Sequence, residues 1–243
     1  MVGILALIFL FGVGYSLLGL GEKGIALPMG PSTPAAEMSK QLMPKPSSSA
    51  TTCDDLGVLV DRSHSLPPEY VPKDLVPLQD HGVPVLGSEV LRRESAEHLG
   101  RLVEDASANG EELVVASAYR SYEEQRLSHE RLMGVFGAGA GRLSAKPGHS
   151  QHQLGTAVDF TNQAVGYQVW GEFARTSAYW WLERHAWEYG FVQAYPRGKE
   201  EQTGYRWEPW HYRYVGVKDA RRLEESNLSL QELLERAGTA PHC

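Results

Sequence analysis

Cysteine is scarce: the 243 residues hold two, Cys53 and Cys243, and neither has a second cysteine at metal-ligand spacing. That excludes a disulfide-stapled small scaffold and a cysteine-rich zinc module. Positive charge is short as well, with 23 Lys+Arg against 30 Asp+Glu and a formal net charge of −7. Neutralising phosphates needs a basic face, so nucleic-acid binding is disfavoured. The glycine-rich stretch 134–148 lacks the G-x-x-x-x-G-K-[ST] pattern of a phosphate cradle. No internal repeat and no regular βαβ alternation is visible. What remains is an ordinary globular composition, 42% hydrophobic and 22% charged.

The first 21 residues lack charge altogether, and Val2 to Leu20 is a nearly continuous apolar run. About 20 apolar residues suffice for a helix to cross a bilayer core. Residues 1–21 therefore read as a signal anchor or a signal peptide. The missing Lys/Arg-rich start and the missing small-x-small cleavage site favour the anchor. Residues 22–52 carry five prolines and the tract Ser47-Ser48-Ser49, and are expected to be a disordered linker. The remainder, 53–243, is then a domain held near a membrane on its extracytoplasmic side, or secreted after cleavage. In that oxidising setting Cys53 and Cys243 could pair, closing nearly the whole domain for at most about 5 kcal/mol. The other reading is two unrelated thiols at the domain ends.

Within the domain, helices are expected over 88–109, from Ser121 to about Met133, over 177–189, and from Ser229 to Gly238. Ser121 and Glu124 form the S-x-x-E capping pattern. Strands are expected at 113–116, 157–161, 191–194 and 210–215, with 134–148 as a loop. The fold class is α+β: one domain with a central, mainly antiparallel sheet flanked by helices.

Three of the nine histidines lie in two short segments rich in polar groups. One runs from Pro147 to Phe160; the other is Glu208-Pro209-Trp210-His211. A catalytic zinc takes three His or carboxylate ligands and keeps a position for water, with a separate carboxylate to accept that water's proton. His152, Asp159 and His211 can supply the ligands and Glu208 the base. Gly155 permits a tight turn between His152 and Asp159. Pro209 holds Glu208 extended at a strand entrance. In the following strand, His211, Arg213 and Val215 should share one face and Trp210, Tyr212 and Tyr214 the other. His149 and His185 are left as structural residues. Tyr179, Trp180, Trp181 and Trp187 read as core at helical spacing, and Arg221-Arg222 with Glu224-Glu225 as a solvated face.

Ser150-x-His152-x-x-Gly155-x-Ala157-x-Asp159, followed by Glu208-Pro209-Trp210-His211, resembles the VanY-type D-alanyl-D-alanine carboxypeptidases. Ser117-Ala118-Tyr119-Arg120-Ser121 with Gln125, Glu188 to Val192, Tyr195-Pro196 and Gly204-Tyr205 extend the likeness over about 88–216. Gln151 stands where such proteins often have Glu, at a position that is not a ligand. The resemblance implies the small α+β zinc fold shared with D-Ala-D-Ala dipeptidases and the amino-terminal signalling domain of hedgehog proteins. It implies one catalytic zinc ion on His152, Asp159 and His211, Glu208 as general base, and Arg120 facing the substrate. Gln125 and Ser150 are candidate hydrogen-bonding partners of the peptide. The implied substrate is a peptidoglycan stem peptide losing its terminal D-alanine. An L,D-carboxypeptidase acting on tetrapeptide stems, and a non-catalytic wall-binding module, are the alternatives. Oligomeric state is left open.

Overall fold

Val158 and Phe160 alternate with Asp159 along a short segment, and that alternation decides which side of the sheet is core and which is site. A computed structural model describes residues 52–169, 171–226, 228–238 and 241. The expected anchor, the linker up to Thr51, and Cys243 lie outside the described residues. Among the described residues no helix is long and apolar enough to cross a membrane.

Two sheets form. A ribbon pairs β1 (Leu75–Pro77) with β2 (Val90–Arg92), antiparallel. The main sheet holds β3 (Val114–Ser117), β4 (Ala157–Thr161), β5 (Phe191–Gln193) and β6 (His211–Tyr214) in the order β3-β4-β6-β5, all antiparallel. Among the described residues six α-helices accompany them: α1 (Arg93–Ala108), α2 (Tyr122–Phe136), α3 (Ser177–His185), α4 (Glu200–Thr203), α5 (Val217–Glu225) and α6 (Leu230–Ala237). This is the expected α+β domain with an antiparallel sheet.

On one face of the sheet Val158, Phe160, Tyr212 and Tyr214 pack with Leu99 and Leu102 of α1 and with Trp181 and Leu182 of α3. The predicted alternation in β6 holds, because Arg213 points to the other side. There its Nη2 donates to the carbonyls of Leu56 and Val58 at 2.9 and 2.7 Å. Arg213 is fully buried, and burial pulls its pKa down to about 10, which leaves it charged at neutral pH. The segment 53–66 thus packs on the sheet, with Cys53, Val58, Val60 and Leu66 around Leu154. Cys53 is buried and disulfide-bonded, whereas its expected partner, Cys243, lies outside the described residues.

Several boundaries differ from expectation for local reasons. The helix expected over 88–109 starts at Arg93, because Val90–Arg92 pairs with β1 instead. Ser121 caps α2 with a full capping box, but the helix continues to Phe136, and a 3-10 stretch at Gly137–Arg142 replaces part of the expected loop. The helix expected over 177–189 changes to 3-10 geometry at Ala186–Tyr189 before Gly190, whose φ of 86° ends it. On α5 none of Arg221, Arg222, Glu224 and Glu225 is buried, in keeping with the solvated face expected for them, while Ala220 and Leu223 are buried. Trp180 departs from the core reading, being 54% exposed.

Gly155 matters most to the site. Its φ is 65°, and a Cβ there would stand 2.9 Å from Leu75 Cδ2 and 3.1 Å from Arg92 Cγ. A left-handed backbone costs a side chain about 1–2 kcal/mol, and crowding adds about 1–3. Gly155→Ala should therefore lose about 2–4 kcal/mol in urea unfolding; a loss under about 0.5 kcal/mol would contradict the tight, crowded turn at this position.

Candidate metal and catalytic site

Strand register assembles the centre. Ser117 on β3 lies opposite Asp159 on β4, after a register shift that begins at Val115, and Asp159 lies opposite His211 on β6. Three neighbouring strands thereby present Ser117, Asp159 and His211 in one row. His152 joins from a 3-10 turn at Gln151–Leu154, which Gly155 closes by donating its N–H to the His152 carbonyl.

His152, Asp159 and His211 are all buried and offer ligand atoms that lie within 4.8 Å of one another. Asp159 Oδ1 is 2.8 Å from His211 Nδ1, and Oδ2 is 3.3 Å from His152 Nε2. The far nitrogen of each ring is held as well. His152 Nδ1 is 2.6 Å from the Ala118 carbonyl, and His211 Nε2 is 3.1 Å from Gln151 Oε1. The Ala118 N–H in turn donates to Glu89 Oε2 at 2.7 Å. Burial acts to raise the Asp159 carboxyl, but the two imidazoles outweigh it and hold the group well below the usual carboxylate range. Two imidazoles, each braced from behind, and an ionised carboxylate suit a zinc ion.

Glu208 opens on the same cavity, which measures about 590 Å³ and is also lined by Arg120, Gln125, Ser150, Tyr195 and Arg206. Its backbone N–H donates to the Tyr195 carbonyl, and its carbonyl accepts from the His211 N–H. Burial lifts the Glu208 carboxyl to about 7; His211 opposes that shift and Asp159 adds to it. A pKa near neutrality suits a group that must both take and give a proton.

Arg120 is fixed at two points. Its Nη1 donates to Gln125 Oε1 at 3.0 Å and its Nη2 to Ser117 Oγ at 2.7 Å. Gln125, expected to contact peptide, is buried and spends its amide on Arg120, Ser144 and Ala145. It shapes the cavity by aiming the guanidinium. Ser150 is buried beside His152 and lines the cavity. Ser117, Glu89, Gln151 and Tyr195 were given no role from sequence. Tyr195 stacks on His211 with ring centroids 5.0 Å apart and planes 16° from parallel. His149 and His185 are engaged elsewhere, with the Asp61 carbonyl and the Glu188 carboxylate.

A family model described as VanY: D-alanyl-D-alanine carboxypeptidase matches residues 88–217. YodJ of Bacillus subtilis (strain 168) is 33% identical over 186 residues, which is 75% of this chain and 68% of that protein. The LdcB LD-carboxypeptidase, whose structure concerns peptidoglycan recognition, superposes with a TM-score of 0.70 at 34% identity, covering 76% of this chain and 87% of the other. A mutant of the vancomycin resistance D,D-pentapeptidase VanY in complex with Zn(II) superposes at 0.61 with 31% identity, covering 73% and 98%.

The raised pKa of Glu208 has a stability consequence in metal-free protein. The folded state keeps this proton between the usual carboxyl value of 4.5 and about 7, while the unfolded chain releases it. Stability therefore falls as pH rises through that window, by about 3 kcal/mol in all, and the cost is absent below pH 4.5. Metal-free Glu208→Gln should be more stable than wild type at pH 8 and should converge with it near pH 4. Parallel stability profiles across this range, measured by urea unfolding, would contradict the buried-carboxyl assignment.

Proposed function

Because the chain belongs to the VanY family of D-alanyl-D-alanine carboxypeptidases, we propose that it is a zinc carboxypeptidase that removes the terminal D-alanine from peptidoglycan stem peptides. The observation that carries this reading is the buried His152, Asp159 and His211 group opening on one cavity with Glu208. His152 Nε2, Asp159 and His211 Nδ1 would hold the ion. When bound, zinc supplies Lewis acidity and a water acidified towards neutrality.

The residues divide the remaining work. Glu208 accepts a proton from the water as its oxygen attacks the carbonyl carbon of the penultimate residue. It then passes that proton to the departing nitrogen as the C–N bond breaks, releasing D-alanine and a shortened peptide. Arg120, braced by Ser117 and Gln125, holds an anion: the terminal carboxylate, or the oxyanion formed during attack. Ser150 serves as a hydrogen-bonding partner for the peptide from beside His152. Residues 1–21 would hold the enzyme on the wall side of the membrane, with 22–52 as its tether.

The likeness to an LD-carboxypeptidase at a TM-score of 0.70 favours a second reading, cleavage of an L,D bond in tetrapeptide stems. Incubating the protein with pentapeptide and tetrapeptide stems and following released D-alanine by mass distinguishes the two. Full zinc occupancy with neither peptide cleaved would point to a wall-binding module instead.

Glu208→Ala should keep its zinc and lose about 10²–10⁴-fold in kcat, the usual share of an acid–base group. Zinc loss in that variant would make Glu208 a ligand and overturn its assignment as base. Arg120→Ala should fall about 10²–10³-fold in kcat/KM on the preferred stem peptide, also with zinc retained.

A further inference from the structure

Gln151 belongs to no ligand set, yet it is 6% exposed and its Oε1 meets His211 at 3.1 Å on the nitrogen that faces away from Asp159. The plane of the His211 ring is already set by Tyr195, stacked on one face. What stacking leaves open is the rotation of the ring within that plane and the choice of protonated nitrogen. An amide oxygen only accepts hydrogen bonds, so Gln151 selects the Nε2–H form of His211. The lone pair then lies on Nδ1, the atom 2.8 Å from Asp159.

His152 is arranged in the opposite sense. Its Nδ1 is held by the Ala118 carbonyl, which leaves Nε2 facing Asp159. One imidazole is oriented by the main chain and the other by a side chain. Only the second can be changed by a single substitution without disturbing the sheet.

We propose that Gln151 is a positioning residue that fixes the tautomer and ring orientation of His211 for the metal. The inference rests on the zinc reading given above. Partners of this kind commonly account for 10–100-fold of metal affinity, and a carboxylate in the same place accepts the N–H more strongly than an amide.

The test uses the full chain as wild type, Gln151→Leu and Gln151→Glu. Zinc affinity is measured by competition with a chromophoric chelator, and ligand geometry by the visible spectrum of the cobalt(II) form. Gln151→Leu should bind zinc about 10–100-fold more weakly and shift the cobalt bands. Gln151→Glu should restore the wild-type spectrum and bind at least as tightly as wild type, which general loss of packing could not produce. Thermal melting of the metal-free forms identifies any variant that fails to fold, and Gln151→Glu then carries the comparison against wild type. If Gln151→Leu matches wild type in affinity and spectrum, or Gln151→Glu binds as weakly as a folded Gln151→Leu, the positioning role is overturned. Wild type taking up no zinc would overturn the metallopeptidase reading, and this one with it.

Discussion

The site depends on strand register. Ser117, Asp159 and His211 face one another across β3, β4 and β6 only in the observed pairing, and side chains alternate faces with a period of two. A slip of one residue in β4 would turn Asp159 into the apolar face and bring Val158 or Phe160 to the site. The core prevents this, because Val158 and Phe160 are both fully buried against α1, α3 and the tyrosines of β6. Burial of these two apolar side chains, worth about 1.5–3 kcal/mol each, holds the polar row in place. The same row anchors Arg120 through Ser117, so the His-Asp-His group and the guanidinium share one frame.

Within that frame two carboxylates sit in one cavity and are driven in opposite directions. Asp159 has an imidazole at each oxygen and stays ionised. Glu208 lacks such a partner among the described residues, and burial dominates its behaviour. The difference in charge state between the two carboxyls thus follows from local partners, not from residue type. It requires Glu208 to approach the histidine pair without bonding to it, and the Pro209 turn achieves this. The N–H of Glu208 goes to Tyr195 and its carbonyl to His211, so the side chain remains free within the cavity.

Much of this was legible in sequence where the cause was local. Ser121 with Glu124 announced a capped helix, Gly190 and Gly238 marked stops, and the alternation in 211–215 placed His211 and Arg213 on one face. His152, Asp159, His211 and Glu208 stood out because two histidines and two acids fell at spacings a turn and a strand can focus on one point. The ribbon of β1 and β2 was missed because three-residue strands, one ending in Pro77, carry too little pattern. Contacts made between distant segments were missed for a different reason. Nothing near Gln151 or Tyr195 in the chain reveals that both close on His211, and Gln125 was aimed at substrate because its bond to Arg120 arises only when α2 folds back.

The segment 53–66 shows why the catalytic unit extends beyond the motifs. It precedes residues 88–217, yet it supplies the carbonyls of Leu56 and Val58 to the buried Arg213, two positions along β6 from His211. Farther along, the Asp61 carbonyl holds His149, next to Ser150, and Arg62 donates to the Gly204 carbonyl at 2.7 Å, next to Tyr205 and Arg206 of the cavity wall. Removing the segment would leave a buried guanidinium without acceptors at Leu56 and Val58, a cost of several kcal/mol, and would free two loops that border the cavity. From Cys53 onward the chain is therefore part of the wall that holds the site.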